Sequence, residues 1–393
     1  MRSQARNALV FATLVLAGGV DAQVNPGDIS NMADDLQRIQ IRMAQGDKSA
    51  YAAQQKQLKA MGAAIASAKP ETWKERRQVD SLVIYVLSGG ALGDVTPLLK
   101  DDAIPEPDRT LARGAFAYIT SHEADAFELL SKIDLSALEA RLAGQVAFAR
   151  SVLETKRDPK AAVSFLDWAR LVAPGGLVEE AALRREIALV AEAGDAPLAA
   201  MLTRQYATRF GASLYAAVFF RELAHLVARF GLADDPANYQ LLSAAAGSLT
   251  PDTRRDFLLT LAKAAIVNAR FEAASAAAAE VLRSVPPDSV DEARGRLYLD
   301  AGRLLSEGYD AARADLQAIA AAKLDRSDAG LLASVRGVAA QLRTEPTAGA
   351  VEAQGDRPTE GEKARGPAET IGLAEAALKR TERAADATQG AAQ

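Results

Sequence analysis

Two histidines are the residues of this chain best suited to metal or proton chemistry. His122 opens the run His-Glu-Ala-Asp-Ala, which begins like the His-Glu-x-x-His motif of zinc proteases. Ala126 stands where that motif needs its second histidine, so the run lacks a metal ligand at the required helical spacing. His225 lies in a segment with helical character. We therefore interpret both histidines as helix-surface or helix-capping residues.

Other patterns associated with catalysis are equally incomplete. The glycine-rich run 89–93 is not followed by the Gly-Lys-Ser/Thr of a phosphate-binding loop. Glu179 and Glu180 open a helix, where negative charge suits the helix dipole. The sequence has no cysteine, which excludes thiol nucleophiles and zinc–thiolate sites. The sequence thus predicts no enzyme: no catalytic, cofactor-binding or metal-ligating residue, and no cofactor.

Composition favours an all-α fold. Alanine, the best helix former, accounts for 86 of the 393 residues, whereas aromatic residues make up only 5%. Runs of the β-branched and aromatic residues that strands need are scarce. The net charge of −5, without a cluster of lysines and arginines, predicts no nucleic-acid partner.

The N-terminus has the pattern of a secretory signal peptide. Arg2 and Arg6 precede the apolar run 8–17, and small residues follow up to Ala22. We predict cleavage between Ala22 and Gln23. The signal peptide predicts export, so the processed protein is expected in the periplasm. Because no later stretch of 18 apolar residues exists, we expect no membrane insertion after processing.

The residues that follow the signal peptide read as consecutive helices. Apolar residues at spacings of three and four predict a helix over Ile29–Gln45. Asp47 is predicted to cap the next helix, Lys48–Ala68. A third helix is predicted to begin at Pro70 and to run to Leu87, with the apolar segment Leu82–Leu87 as a buried helix rather than a strand.

Alanine markers indicate a repeat. Ala162 and Ala200 are 38 residues apart, as are Ala274 and Ala312, and Ala237 and Ala124 fall at intermediate or preceding steps. The segments Leu261–Pro286 and Leu299–Leu324 look like tetratricopeptide helix pairs. We predict a degenerate tetratricopeptide-like solenoid in a helical body spanning residues 23–343. A non-repeating helical bundle is the alternative.

The C-terminal residues 344–393 differ in composition from the body. Thr344–Pro367 contains three prolines, several glycines and mixed charge, which is typical of a flexible linker. Thr370–Ala385 has enough apolar residues for a short helix. This region is predicted to be a polar linker and tail.

One stretch resembles a known family. Residues 170–187, 191–195, 204–215 and 219–221 are similar to MotC, a family of periplasmic motility proteins of rhizobia and related alphaproteobacteria. The resemblance implies an exported, non-enzymatic protein that acts at the flagellar motor and associates with the periplasmic domain of the stator protein MotB. The resemblance assigns no catalytic residue to this chain.

Three functions remain open. The first is a motor accessory protein that binds a stator component, and the second is a general periplasmic scaffold for envelope or secretion assembly. The third is a cell-wall lyase with a helical superstructure, for which no compact catalytic segment is left. If the tetratricopeptide register holds, Arg185 falls on the first helix of its unit and faces the binding groove, so it is the candidate partner-binding residue.

The processing site can be tested directly. We expect mass spectrometry of the protein purified from its native host to show Gln23, open or cyclised to pyroglutamate, as the N-terminal residue. An intact Met1 in the cytoplasmic fraction would contradict both cleavage and export.

Overall fold

The computed structural model describes residues 29–100, 103–304 and 309–342, and all regular secondary structure in these ranges is helical. This confirms the all-α class. The predicted signal peptide with its cleavage pair Ala22 and Gln23, and the predicted tail 344–393, lie outside the described residues. The described α-helices are α1 (Ile29–Ala44), α2 (Ser49–Ser67), α3 (Arg76–Leu87), α4 (Leu92–Lys100), α5 (Asp108–Ile119), α6 (Glu123–Ser131), α7 (Ala140–Glu154), α8 (Pro159–Val172), α9 (Leu177–Glu192), α10 (Ala196–Phe210), α11 (Ala216–Phe230), α12 (Pro236–Ala245), α13 (Pro251–Val267), α14 (Phe271–Leu282), α15 (Val290–Arg303), α16 (Tyr309–Ala318) and α17 (Arg326–Gln341).

The chain divides into two compact units, residues 1–336 and 337–393. The first contains α1 to α16 and most of α17. In the second, the described residues are 337–342, which form the end of α17 and the turn after it.

The first two predicted helices are confirmed, and the third is corrected. Asp47 accepts hydrogen bonds from the backbone N–H and the hydroxyl of Ser49, so it holds the first turn of α2 as expected. The predicted helix from Pro70 to Leu87 is two elements: a 3-10 helix, Pro70–Lys74, and then α3. Glu75 between them is extended, and Trp73 in the 3-10 turn is fully buried. Burial of this large ring accompanies the break, which local helix signals do not reveal.

α3 is buried along most of its length, which confirms the helical interpretation of Leu82–Leu87. Gly90 after it is required by the packing of Tyr85, because a Cβ on Gly90 would lie 2.4 Å from the tyrosine ring. The Tyr85 hydroxyl donates to Asp94 at 2.8 Å and accepts from the backbone N–H of Ala91 at 2.8 Å. Gly90 therefore leaves room for the Tyr85 ring, whose hydroxyl links α3 to α4 through Asp94.

The helices contact one another in a regular order. From α1 to α15, each odd-numbered helix contacts the next odd-numbered helix. Among the even-numbered helices, α2 contacts α4, and α12 contacts both α10 and α14. Most odd-numbered helices also contact the even-numbered helix that follows them, for example α7 with α8 and α13 with α14. Consecutive helix pairs are thus stacked mainly through the odd-numbered helices, and even-numbered helices add contacts between α2 and α4 and from α10 to α14.

A contact between distant segments joins α1 to α9. The turn after α1 lies against the turn after α10, and Gly46 there has a φ of +91°. A Cβ on Gly46 would lie 2.2 Å from the carbonyl oxygen of Ala212. Both the backbone conformation and the close approach therefore require glycine at this position.

The alanine markers divide into two groups. Ala162, Ala200, Ala274 and Ala312 are at most 4% exposed, and each is the fourth or fifth residue of its helix. The markers Ala124 and Ala237 are exposed, because each is only the second residue of its helix and so points in another direction. The extrapolation of the repeat to Ala124 and Ala237 was wrong in register. In α6 the buried residue at the marker position is Ala126.

The two groups of alanines give a matched test of this packing. We expect Ala274→Phe to destabilise the protein by about 1–3 kcal/mol, because a phenyl ring has no space in a fully packed helix contact. Ala237→Phe, at an exposed marker, is the control and should change stability little. Chemical denaturation of both variants measures the difference, and equal stability of the two would contradict the burial of Ala274.

Candidate partner-binding site

The two histidines lie at surface positions. His122 precedes α6, and its Nδ1 lies 2.9 Å from the hydroxyl of Thr120. His225 is exposed on α11. Within the described ranges, no group of three or more histidine, aspartate or glutamate residues is placed to hold a metal ion. No helix in the same ranges is both long and apolar enough to cross a bilayer.

The most concentrated buried charge of the described chain lies on α9. Glu179, Glu180 and Glu186 are 2%, 0% and 3% exposed, respectively. Glu179 and Glu180 do lie in the first turn of α9, as expected, but they point into the protein instead of into solvent. A buried carboxylate is costly unless hydrogen-bond donors surround it.

Neighbouring helices supply those donors. Glu179 accepts from Arg209 of α10 at 2.7 Å and from the backbone N–H of Gly175 at 2.6 Å. Glu186 pairs with Arg170 of α8. The charged side chains of α9 are therefore engaged in holding α8 and α10 against it.

The third carboxylate, Glu180, accepts from the hydroxyl of Tyr206 at 2.8 Å. Tyr206 is also the centre of an aromatic cluster, in which its ring centroid lies 4.2 Å from that of Phe219. Burial raises the pKa of Glu180, and the hydrogen bond from Tyr206 opposes that rise. Burial and the nearby Glu180 also raise the pKa of Tyr206, so its hydroxyl remains a donor at neutral pH.

The candidate Arg185 lies on α9 and is half-buried. Its Nη2 donates to the hydroxyl of Thr155, at the end of α7, at 2.6 Å. Burial lowers the pKa of Arg185, and Tyr118 beside it opposes that effect. The buried Nε of Arg185 has no hydrogen-bond partner in the described chain. One side of the guanidinium is thus engaged within the protein, and the Arg185 side chain is only partly exposed.

Sequence analysis missed the burial of the α9 carboxylates, although a signal was present. Glu180, Leu183 and Ile187 follow the spacing of three and four that marks the buried face of a helix. Because Glu179 and Glu180 are charged, the sequence interpretation assigned them to the helix dipole. The alignment of Glu180 with Leu183 and Ile187 instead indicates burial.

A groove of about 570 Å³ lies between α12 and α14. One face of each helix lines it, since the lining residues recur at spacings of three and four. Four alanines contribute apolar surface to it, and Arg254 of α13 contributes to its wall. The lining residues are Ala233, Asp234, Pro236, Tyr239, Gln240, Ser243, Ala244, Arg254, Glu272, Ala276, Ala279, Glu280 and Arg283.

Part of the charge in this groove is already neutralised. Glu280 accepts from Tyr239 at 2.7 Å, from Arg254 at 2.6 Å and from the hydroxyl of Ser243. Burial, followed by this hydrogen bond to Glu280, raises the pKa of Tyr239, so the tyrosine stays a donor.

Two exposed charged residues of the groove, Glu272 and Arg283, lack the hydrogen-bonded partners that Glu280 has. Glu272 lies in the first turn of α14, and Arg283 lies just after its last residue. No hydrogen bond or ion pair joins either side chain to another residue of the described ranges. The two charges are opposite in sign and lie at opposite ends of α14, and Arg283 also acts electrostatically on Tyr239, whose pKa it lowers.

Comparison with known proteins identifies relatives by sequence. The model of one protein family, described as chemotaxis protein MotC, matches residues 1–393. A protein of Rhizobium meliloti (strain 1021), named chemotaxis protein MotC, is 31% identical over 215 residues, which are 54% of this chain and 49% of the relative. The chain thus aligns with about half the length of this curated relative. No solved structure matches.

The buried ion pair between α8 and α9 has a measurable pH signature. We expect Arg170→Met to cost about 3 kcal/mol or more at pH 8, because it leaves Glu186 buried without its cation. Burial already raises the pKa of Glu186, and loss of Arg170 raises it further. A carboxyl group whose pKa is raised in the folded state lowers the free energy of unfolding as the pH rises toward that pKa. The loss of stability caused by Arg170→Met should therefore be smaller at pH 5 than at pH 8.

Denaturation at pH 5 and pH 8 checks this expectation. Arg204→Met, at an exposed arginine of α10, is the control and should cost little at either pH. A cost of Arg170→Met that is the same at both pH values would mean that Glu186 is not the source of the loss.

Proposed function

The chain belongs to the MotC family of chemotaxis proteins, and on that premise we propose that it is an exported, non-enzymatic motility protein that binds the periplasmic part of the stator protein MotB and supports motor rotation. The match of the family over residues 1–393 carries this proposal. The aligned relative, itself named a chemotaxis protein, supports the same role in motility.

A binding function is supported by the way the helices are stacked. Each odd-numbered helix contacts the next, and the even-numbered helices α10, α12 and α14 form a second row. We interpret this arrangement as a degenerate tetratricopeptide-like solenoid. In such arrays each repeat contacts mainly its neighbours, and the stack offers an extended surface to a partner.

A non-catalytic role is supported by the use that the protein makes of its buried acids. Glu179 and Glu186 are paired with arginines from adjacent helices, and Glu180 is hydrogen-bonded to Tyr206. Carboxylates used for acid–base catalysis must face a substrate. These carboxylates instead face partners within the fold, where they hold helices together.

Export to the periplasm is part of the proposal and is supported by the signal-peptide pattern of residues 1–22. A periplasmic protein has access to the part of a stator component that lies outside the inner membrane. The proposed location and the proposed partner therefore agree.

Arg185 is the proposed contact residue. Its Nη2 is held by Thr155, which fixes the orientation of the planar guanidinium, and the residue is partly exposed. An oriented and partly exposed arginine suits a carboxylate or a C-terminus of the partner.

The interaction can be measured with purified proteins. We expect the processed chain to bind the periplasmic fragment of MotB in calorimetry, and a deletion strain to lose swimming. Arg185→Glu should weaken binding roughly tenfold, because it replaces a donor with a carboxylate. Arg185→Lys keeps the charge but loses the planar fork and should have an intermediate effect.

Two controls separate a local effect from a general one. Thermal unfolding of each variant shows whether the half-buried position tolerates the change. Lys379→Glu makes the same change of charge in the predicted tail and should bind like the unmodified protein. If Lys379→Glu weakens binding equally, the assignment of Arg185 fails. No binding by the unmodified protein, together with normal swimming of the deletion strain, would favour the general envelope scaffold instead.

A further inference from the structure

We propose that the groove between α12 and α14 is the docking site for an α-helix of the partner, one that carries a carboxylate near its N-terminal end and a cation about three turns later. This inference rests on the proposed function, since the partner is taken to be the periplasmic part of MotB. It adds the surface, the secondary structure and the charge pattern that are recognised.

The dimensions of the groove match a helix. The α14 face that lines it extends from Glu272 to Arg283, which at ~1.5 Å per residue is about 16 Å, or three helical turns. The lining residues of α12 recur at spacings of three and four and form the opposite wall. A groove between two helices is a common receptor for a third.

The surface of the groove also suits a helix. Ala244, Ala276 and Ala279 have the smallest apolar side chains, so the backbone of an incoming helix can approach closely. Hydrogen bonds to Glu280 hold Tyr239 and Arg254, so the polar wall is fixed before binding. A prearranged site loses less conformational entropy when it binds.

The free charges define the orientation of the occupant. Asp234 is paired with Arg270 at 2.7 Å, and Glu280 is satisfied within the groove. Glu272 and Arg283 therefore remain to attract opposite charges at the two ends. A helix antiparallel to α14 places its N-terminal end beside Arg283 and its C-terminal end beside Glu272.

This orientation agrees with the electrostatics of the incoming helix itself. A carboxylate is favourable near the N-terminus of a helix, and a cation is favourable near the C-terminus. The antiparallel helix thus satisfies its own dipole and both free charges of the groove with the same two side chains. A parallel helix would have to carry its charges against its dipole.

Charge reversal tests the assignment. We expect Glu272→Arg and Arg283→Glu each to weaken binding of the periplasmic MotB fragment roughly tenfold at low salt. The matched controls are Glu192→Arg on α9 and Arg313→Glu on α16, which reverse the charge of exposed residues outside the groove and should leave the affinity unchanged.

If Glu272 and Arg283 only stabilise α14 through its helix dipole, the charge reversals should affect stability and not binding. Both charges are placed favourably for that dipole. In that case the reversals lower the melting temperature and leave the affinity of the folded protein unaltered, which would overturn the proposal.

A thiol probe locates the contact independently. Because the chain has no cysteine, Ala276→Cys introduces a single thiol into the groove. We expect the MotB fragment to slow the alkylation of this thiol by a maleimide at least fivefold. Ala161→Cys, at a half-buried alanine in the first turn of α8, is the control and should react at the same rate with and without the fragment.

The outcomes distinguish the two levels of the proposal. Without binding by the unmodified protein, the proposed partner is wrong. With binding but without an effect of either reversal, or with protection at Ala161→Cys instead of Ala276→Cys, the partner stands and the groove is wrong. Protection of Ala276→Cys that rises with protein concentration in the absence of the fragment would mean that a second copy of this chain occupies the groove.

Discussion

A buried carboxylate needs hydrogen-bond donors, and this requirement organises the centre of the protein. α9 contacts α1, α7, α8, α10 and α11, and it carries three glutamates in its buried face. Arg170 from α8 and Arg209 from α10 reach two of them, and Tyr206 from α10 reaches the third. Because each donor must meet its acceptor within about 3 Å, α8 and α10 have little freedom to slide or rotate along α9. These polar contacts specify position, and the surrounding apolar contacts supply most of the stabilisation.

Alanine provides the complementary constraint on distance. Ala162, Ala200, Ala274 and Ala312 are buried where an even-numbered helix packs against its neighbours, and their short side chains let helices lie close together. The same residue type on exposed faces has no such effect, as at Ala237. The abundance of alanine thus serves two purposes: it favours helix formation everywhere, and it permits close packing where the side chain is buried.

The proposed binding surface arises where this close packing is relaxed. α12 is followed by a 3-10 turn, Ala246–Ser248, and it contacts α14 much less extensively than it contacts α10. A groove remains between α12 and α14, and polar groups stabilise its wall through Glu280. In a member of a motility family whose helices are stacked on one another, such an opening is the surface that we propose for partner binding.

The sequence by itself determined what depends on neighbours within about one helical turn. It predicted the all-α class, the first two helices with the cap at Asp47, and the family to which the segment 170–221 led. Only the tertiary structure decided which residues of those helices face inward. The burial of Glu179 depends on a contact with Arg209, 30 positions away, and the groove is formed by residues of two separate helices, α12 and α14. The separation of the Pro70 helix into two elements accompanies the burial of Trp73. Helix formation is governed by local hydrogen bonds, whereas burial and the gaps between helices depend on contacts between distant segments, of which the local pattern records only the periodicity of the buried face.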